Sequence, residues 1–260
     1  MRDHDIEDQA SNDRDFVASL EKGLLVIEAF DANRSKLTLS DVAKLTGITR
    51  AAARRYLLTL TKLNYADFDG RYFSLSPRIL RLGYAYLSST SLSARVQPFL
   101  ERISEETGES SSAAILDGDD IVYIARSATR RIMSIGLGVG SRLPAYCTSL
   151  GRAILAYQSQ EAVDAYLQRV RLEARTPKTV TDKGELRRVL EATRAQGYAL
   201  VNEELEFGLR SIAVPVIQKT GQVTIALNLS AQAGRISTDE MKERFLPSLN
   251  GASEALRYIL

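Results

Sequence analysis

The chain has one cysteine, Cys147, one histidine, His4, and no tryptophan in its 260 residues. A lone cysteine excludes an internal disulfide, and so few cysteines and histidines exclude a zinc site built from several such ligands. With His4 in a polar amino-terminal stretch, the chain also lacks the base of a Ser-His-Asp hydrolase. No run of about 18 uncharged apolar residues occurs, so no membrane span is expected, and the polar start has no apolar stretch of a signal peptide. These absences favour a cytoplasmic protein without a membrane partner, metal or cofactor. Gly136-Leu137-Gly138-Val139-Gly140 follows a strand-like run but lacks the full glycine spacing of a dinucleotide loop. Asn202, Glu203, Glu204 and Glu206 bring together acidic groups with no nucleophile, histidine or metal cluster beside them, so they read as solvated or structural rather than catalytic.

Charge of either sign is nearly balanced, with 34 Lys and Arg against 32 Asp and Glu. The net balance therefore says little about partners, and the distribution carries the information. Residues 1–15 hold Asp3, Asp5, Glu7, Asp8, Asp13 and Asp15 with almost nothing apolar, which predicts a disordered acidic tail. Between Arg50 and Arg81 the balance reverses: Arg50, Arg54, Arg55, Lys62, Arg71, Arg78 and Arg81 face only Asp67 and Asp69. A chain of this length suits two domains.

The basic stretch lies within a recognisable order of elements. Phe16 to Phe30 has helical spacing through Leu20, Leu24, Ile27 and Ala29. Leu39 to Thr49 spells a helix with small Ala43 four residues before Gly47, so that the next helix can approach and the backbone can turn at glycine. Thr49 is placed to cap a second helix. In that helix Ala53, Tyr56, Leu57, Leu60 and Leu63 form the predicted core face, while Ala51, Arg54, Arg55, Leu58 and Lys62 fall opposite and Arg50 stands at the margin. Tyr65 to Leu75 has two short alternating runs around Asp69-Gly70, a hairpin signal that puts Arg71 beside the tip. This is the layout of a winged helix-turn-helix over residues 16–76, mainly α with a β wing, and it predicts a partner in double-stranded DNA. The candidate contacts are Ser40, Thr49, Arg50, Ala51, Arg54, Arg55 and Arg71. Arginines on the first turns of such a helix can pair with guanine O6 and N7.

Ser76-Pro77 then opens a helix over 77–91, a linker whose Ile79, Leu80, Leu82, Tyr84 and Leu87 are too apolar to stand alone in water. Leu92 to Thr107 is a further amphipathic helix closed by Gly108. Beyond it, strand-like runs cover Ser112 to Leu116, Ile121 to Arg126, Ile132 to Leu137, Ser211 to Val216 and Thr224 to Leu229. Helical stretches cover Ser149 to Gln158, Gln160 to Arg169, Gly184 to Gln196 and Asp239 to Leu260. Hairpins separated by helices, without regular βαβ alternation, predict an α+β domain over 92–260 with a mainly antiparallel sheet.

Two further stretches, Leu143-Pro144-Ala145-Tyr146-Cys147-Thr148-Ser149-Leu150-Gly151-Arg152-Ala153-Ile154-Leu155-Ala156 and Gly197 to Val216, resemble signatures of the IclR family of bacterial transcription regulators. The resemblance extends from about Phe16 to the C-terminus. Arg130-Arg131-Ile132-Met133-Ser134, the glycine loop and the Arg142 to Ser149 stretch are most similar to the branch governing protocatechuate, 4-hydroxybenzoate and β-ketoadipate metabolism. The resemblance implies a GAF-like effector domain, dimers that pair into tetramers and a small organic acid as signal; the partners expected of such a regulator are a palindromic operator and RNA polymerase. It leaves activation or repression open. The family pocket falls on Ile132, Ile135, Leu143, Ser149, Leu150, Val201, Leu209, Ser211, Asn228 and Ser230. Ser149 and Leu150 lie at a predicted helix start, which favours a carboxylate. Asn228 and Ser230 alternate on one strand and can share a face. Val201 stands where regulators of short acids carry an acidic residue, which favours a larger, partly apolar acid. Arg130, Arg131 and Arg142 are the candidate carboxylate partners, with Arg130 favoured for sharing strand parity with Ile132.

Overall fold

The computed structural model describes residues 16–31, 33–90, 92–129 and 137–259, with backbone alone for 86–90. The acidic tail, the strand expected from Ile132, and the candidates Arg130, Arg131, Ile132 and Ile135 lie outside the described residues. The chain divides into two compact units, residues 1–85 and 86–260.

The first unit is a three-helix core with a wing. Helices α1 (Ala18–Glu28), α2 (Leu39–Thr46) and α3 (Arg50–Lys62) precede strands β1 (Ala66–Phe68) and β2 (Phe73–Leu75). Helix α2 starts in a capping box: Thr38 Oγ1 accepts from the Asp41 amide, and the Asp41 carboxylate accepts from the Thr38 amide at 2.9 Å. It ends at Gly47, whose φ of +71° is the left-handed turn that releases the chain into α3. The core joins Val26, Ala29, Leu37, Val42, Ala53, Leu57 and Phe73. Two expectations are corrected here. Leu20 and Leu24 of α1 are exposed, because the buried side of that helix runs through Val26 and Ala29. Leu63, expected in the core, is 52 % exposed because it caps α3 and the chain then turns at Asn64, with φ +62°.

Strands β1 and β2 pair antiparallel from Ala66↔Leu75 to Phe68↔Phe73, and Leu37 adds a bridge to Phe73. The Asp69 carboxylate accepts from the Arg71 and Tyr72 amides and fixes the tip. Beyond β2, Ser76 caps a 3-10 turn at Pro77–Ile79 that runs into α4 (Leu80–Thr90). Leu80 and Tyr84 on α4 are each 71 % exposed.

The second unit opens with α5 (Leu92–Thr107), the hairpin β3 (Ser110–Asp117) and β4 (Asp120–Ser127), and short β5 (Arg142–Pro144). A 3-10 turn at Ala145–Cys147 leads to α6 (Ser149–Leu155), α7 (Gln160–Arg169) and α8 (Lys183–Gln196). Strands β6 (Ala199–Asn202), β7 (Leu209–Ile217) and β8 (Val223–Gln232) follow, then α9 (Thr238–Arg257). The sheet order is β5-β4-β3-β8-β7-β6 and every neighbouring pair is antiparallel. Both faces are covered. On one face Ile212, Val214 and Val216 of β7 and Ile225, Leu227 and Leu229 of β8 pack with Val96, Leu100 and Ile103 of α5 and Met241, Phe245 and Leu249 of α9. On the other, Ala213 and Ala226 pack with Leu150, Ala153 and Ile154 of α6, beside Leu186 and Leu190 of α8. The small residues on this second face let α6 lie close to the sheet. Gly151 serves a different contact, because a Cβ there would collide with the Ala145 backbone of the 3-10 turn that folds against α6.

Strands β5 and β6 were not anticipated. Each is only three or four residues long, too short for alternation to register in the sequence. Helix α6 begins at Ser149 as expected but stops at Leu155, short of Gln158.

Candidate functional site: a basic reading helix and a buried cavity

Helix α3 separates its residues by chemistry. Ala53 and Leu57 are fully buried, Tyr56 and Leu60 are partly so, and Arg50, Ala51, Arg54, Arg55, Leu58 and Lys62 are exposed. Its first turn is capped by Thr49 Oγ1, which accepts from the Ala52 amide at 3.2 Å. Arg50, Arg54 and Arg55 form no ion pair among the described residues, so three guanidinium groups project from one helix without a protein carboxylate to neutralise them. Ser40 is exposed in the first turn of α2. Arg71 is exposed at the wing tip, its Cζ 5.0 Å from the Tyr72 ring centre. Six of the seven sequence candidates thus lie on α2, α3 or the wing, and Thr49 caps α3.

In the second unit a cavity lies between the inner sheet face and α6. It is lined by Tyr123 and Arg126 of β4, Cys147, Thr148, Ser149 and Leu150 around the start of α6, and Val201, Leu209, Ser211, Asn228 and Ser230 of β6, β7 and β8, with Leu137 and Leu205 completing the wall. The structure therefore brings together Ser149, Leu150, Val201, Leu209, Ser211, Asn228 and Ser230. Leu143 does not join them; it pairs with Ile121 at the sheet edge and packs on the α6 side of the core.

The polar groups of the lining are incompletely satisfied. Ser149 Oγ, Asn228 Oδ1 and Arg126 Nε are buried with no hydrogen-bond partner among the described residues. Asn228 and Ser230 share a face as expected, with Asn228 Nδ2 donating to Ser230 Oγ at 3.2 Å. The start of α6 is less open than its sequence suggests. Thr148, not Ser149, is the cap, and its Oγ1 accepts from the Gly151 amide at 3.2 Å. The Cys147 thiol is pushed up to about 11 by burial, so it stays protonated at neutral pH. Burial also raises the Tyr123 hydroxyl, with the nearby Arg126 charge acting in the opposite direction.

Arg126 was not among the sequence candidates. Strict alternation along β4 sets it on the face opposite Tyr123, but the strand bulges: Ala113 pairs with Ala125 and Ala114 with Tyr123, leaving Ile124 as the extra residue. Ile124 and Ala125 both pack toward α5, and Arg126 returns to the cavity side. Arg142, which was a candidate, is corrected. It binds Asp117 at 2.5 Å and Asp120 at 3.3 Å on the exposed edge strand, and it does not line the cavity.

The acidic residues after β6 have structural partners. Glu204 is buried and takes both terminal nitrogens of Arg152, at 2.6 and 2.5 Å, and its Oε2 also accepts from the Val180 amide. Arg152 Nε completes the arrangement by donating to the Tyr146 carbonyl at 2.7 Å. Glu203 pairs with Lys178, and Asn202 accepts from Arg210.

A winged helix-turn-helix followed by a two-layer-covered antiparallel sheet with an internal cavity defines a DNA-binding regulator with a ligand domain. The chain belongs to the IclR family of bacterial transcriptional regulators: the IclR helix-turn-helix domain matches residues 19–70 and the bacterial transcriptional regulator IclR C-terminal domain matches residues 84–258. It is 50% identical to the Pca regulon regulatory protein of Pseudomonas putida over 95% of this chain and 85% of that one. It is 38% identical to the p-hydroxybenzoate hydroxylase transcriptional activator of Acinetobacter baylyi, over 95% and 93% of the two chains. Among solved structures, the inducer-binding domain of a PobR double mutant from Acinetobacter, in complex with 3-hydroxybenzoic acid, is 32% identical, with a TM-score of 0.62 over 65% of this chain and 99% of that one.

Proposed function

We propose that this protein regulates genes of aromatic-acid catabolism, reading operator DNA with α3 and the wing while a small organic acid of that pathway binds the inner cavity. The observation that carries the reading is the chemistry of the cavity lining, since a free volume of about 30 Å³ has to widen before a ring can enter. Apolar walls from Leu137, Leu150, Val201, Leu205 and Leu209 enclose polar atoms of Arg126, Ser149 and Asn228 that lack partners, which is the composition of a site for a partly apolar, anionic ligand. Relatives named for pca and p-hydroxybenzoate regulation support the ligand class.

In this reading the protein acts in the cytoplasm, as a homo-oligomer that presents two reading helices to a palindromic operator, and ligand binding changes operator affinity or contact with RNA polymerase. The exposed apolar side chains of α1 and α4, Leu20, Leu24, Leu80, Leu82 and Tyr84, support self-association. Coupling between ligand and DNA sites is typically about 1 to 3 kcal/mol. The test combines a gel shift on the protein's own promoter with a thermal-shift screen of protocatechuate, 4-hydroxybenzoate, β-ketoadipate and glyoxylate. Stabilisation by an acid of the first three, together with altered operator affinity, is the expected result. Equal binding to promoter and random duplex, unaffected by every acid, refutes it.

A further inference from the structure

We infer that Arg126 is the residue that takes the effector's carboxylate, and that the cavity lining, once widened by the ligand, suits a hydroxylated aromatic acid with its carboxylate on β4 and its hydroxyl toward β8. The inference rests on the ligand class proposed above and specifies how the site reads it. Three observations carry it.

First, Arg126 is a cation without an anion. No carboxylate pairs with it among the described residues; its Nη1 makes one long contact, 3.4 Å, to Ser112 Oγ, and its Nε is buried and unpartnered. Its Cζ lies 6.0 Å from the Tyr123 ring centre, which offers the charge a π face but no counter-charge. Arg126 as a whole is only half-buried, but withdrawing part of a guanidinium from water still costs free energy unless an anion and hydrogen bonds compensate it. The fully buried cation of this unit, Arg152, has both from Glu204. An organic carboxylate can supply to Arg126 what Glu204 supplies to Arg152.

Second, the competing receptor is weaker. The start of α6, to which the sequence assigned the carboxylate, is closed in part by Thr148, and the helix has only seven residues. Its backbone dipole is correspondingly weak compared with a full guanidinium charge.

Third, the far side of the cavity asks for a donor. Arg126, Ser112 and Asn228 form one cross-strand row, Ser112 pairing with both. Two strand spacings, about 9.6 Å, therefore separate the backbones of Arg126 and Asn228. Asn228 Nδ2 is engaged by Ser230, leaving Oδ1 as an unfilled acceptor. A ring bearing a carboxylate at one end and a hydroxyl at the other presents an acceptor to Arg126 and a donor to Asn228, with its apolar faces against Leu150 and Leu209. A dicarboxylate would set a second negative charge against the Asn228 carbonyl oxygen.

The experiment compares the full-length protein with its Arg126→Gln and Arg126→Lys variants, titrating 4-hydroxybenzoate, protocatechuate, the uncharged 4-hydroxybenzamide and β-ketoadipate by calorimetry. The parent is expected to prefer the hydroxybenzoate over its amide by about 10- to 100-fold, the range of one charged hydrogen-bond set. In Arg126→Gln that preference should collapse to within about threefold while amide binding is retained, and Arg126→Lys should restore part of it. Retained amide binding shows that the cavity is still folded. An unchanged acid-to-amide ratio in Arg126→Gln overturns the Arg126 assignment and leaves the regulator reading intact. Tighter binding of β-ketoadipate than of either hydroxybenzoate overturns the aromatic specificity alone. A parent protein indifferent to all of these acids overturns both the inference and the ligand class on which it rests.

Discussion

Replacing Glu204 with alanine should be among the most damaging single changes in the second unit, although Glu204 neither lines the cavity nor belongs to the unit that carries the reading helix. The side chain of Arg152 is 2% exposed and that of Glu204 11%, and the two hydrogen bonds between them measure 2.6 and 2.5 Å. Loss of the carboxylate leaves the guanidinium buried with the Tyr146 carbonyl as its only remaining partner among the described residues, and also frees the Val180 amide. Breaking one side of such a pair costs about 3 to 5 kcal/mol. For a domain of this size each kcal/mol lowers the melting temperature by about 2 to 4 °C, so a fall of about 6 to 20 °C is expected. Thermal unfolding of the full chain followed by near-ultraviolet circular dichroism, which reports on its 11 tyrosines in the absence of tryptophan, measures this. The Arg152→Met, Glu204→Leu double variant removes both charges and should unfold well above Glu204→Ala. If the single variant melts within 2 °C of the parent, or the double variant is the least stable, the pair does not have the energetics that its burial implies.

Arg54→Ala and Arg55→Ala should each relax operator preference by about 1 to 3 kcal/mol in competition gel shifts, whereas Arg71→Ala should weaken all duplexes alike and reduce the salt slope by about 1; identical binding curves for all three would refute the groove assignment. Gly151→Ala should lower stability by about 1 to 3 kcal/mol or more, because the new methyl meets the Ala145 backbone. Gly251→Ala, in a helix where the methyl meets nothing within 4 Å, should be neutral or stabilising by up to about 1 kcal/mol, and urea titration of the pair checks the contrast. Cys147 should react slowly with a disulfide reagent at pH 8 in the native protein and quickly once unfolded. Because its folded value is raised from 9.0 to about 11, its contribution to stability is complete below the unfolded value and disappears as pH climbs through that interval, so alkaline denaturation followed in Cys147→Ser should lose that component.

The reading helix was legible because its information is local. Period, cap and turn chemistry in Thr49, Gly47, Ala53 and Leu57 need no distant partner to be interpreted. Most of the sheet followed for the same reason, since hairpin turns and β-branched runs mark β3, β4, β7 and β8. The cavity walls on β7, β8 and α6 came from the family resemblance, and Asn228 and Ser230 also from simple alternation. What escaped depended on tertiary context. Leu20 and Leu24 have the spacing of a buried face, but the packing partner of α1 lies on its other side. Arg142 and Arg126 are indistinguishable as arginines on strands; only the positions of Asp117 and Asp120 show that the first is already neutralised. Glu204 resembled its acidic neighbours until Arg152, 52 positions earlier, came to lie against it.

An irregularity of one residue at Ile124 acts as a phase shift in β4. Residues before it and after it obey the same alternation, but counted from different origins, so which side chain enters the ligand's chamber depends on where along the strand the offset falls. Were the offset beyond Arg126 rather than before it, a methyl group from Ala125 would look inward and the guanidinium would be driven among the aliphatic side chains of α5. Ligand preference in such a sheet can therefore change by moving a backbone defect, with every amino acid around the chamber left as it is.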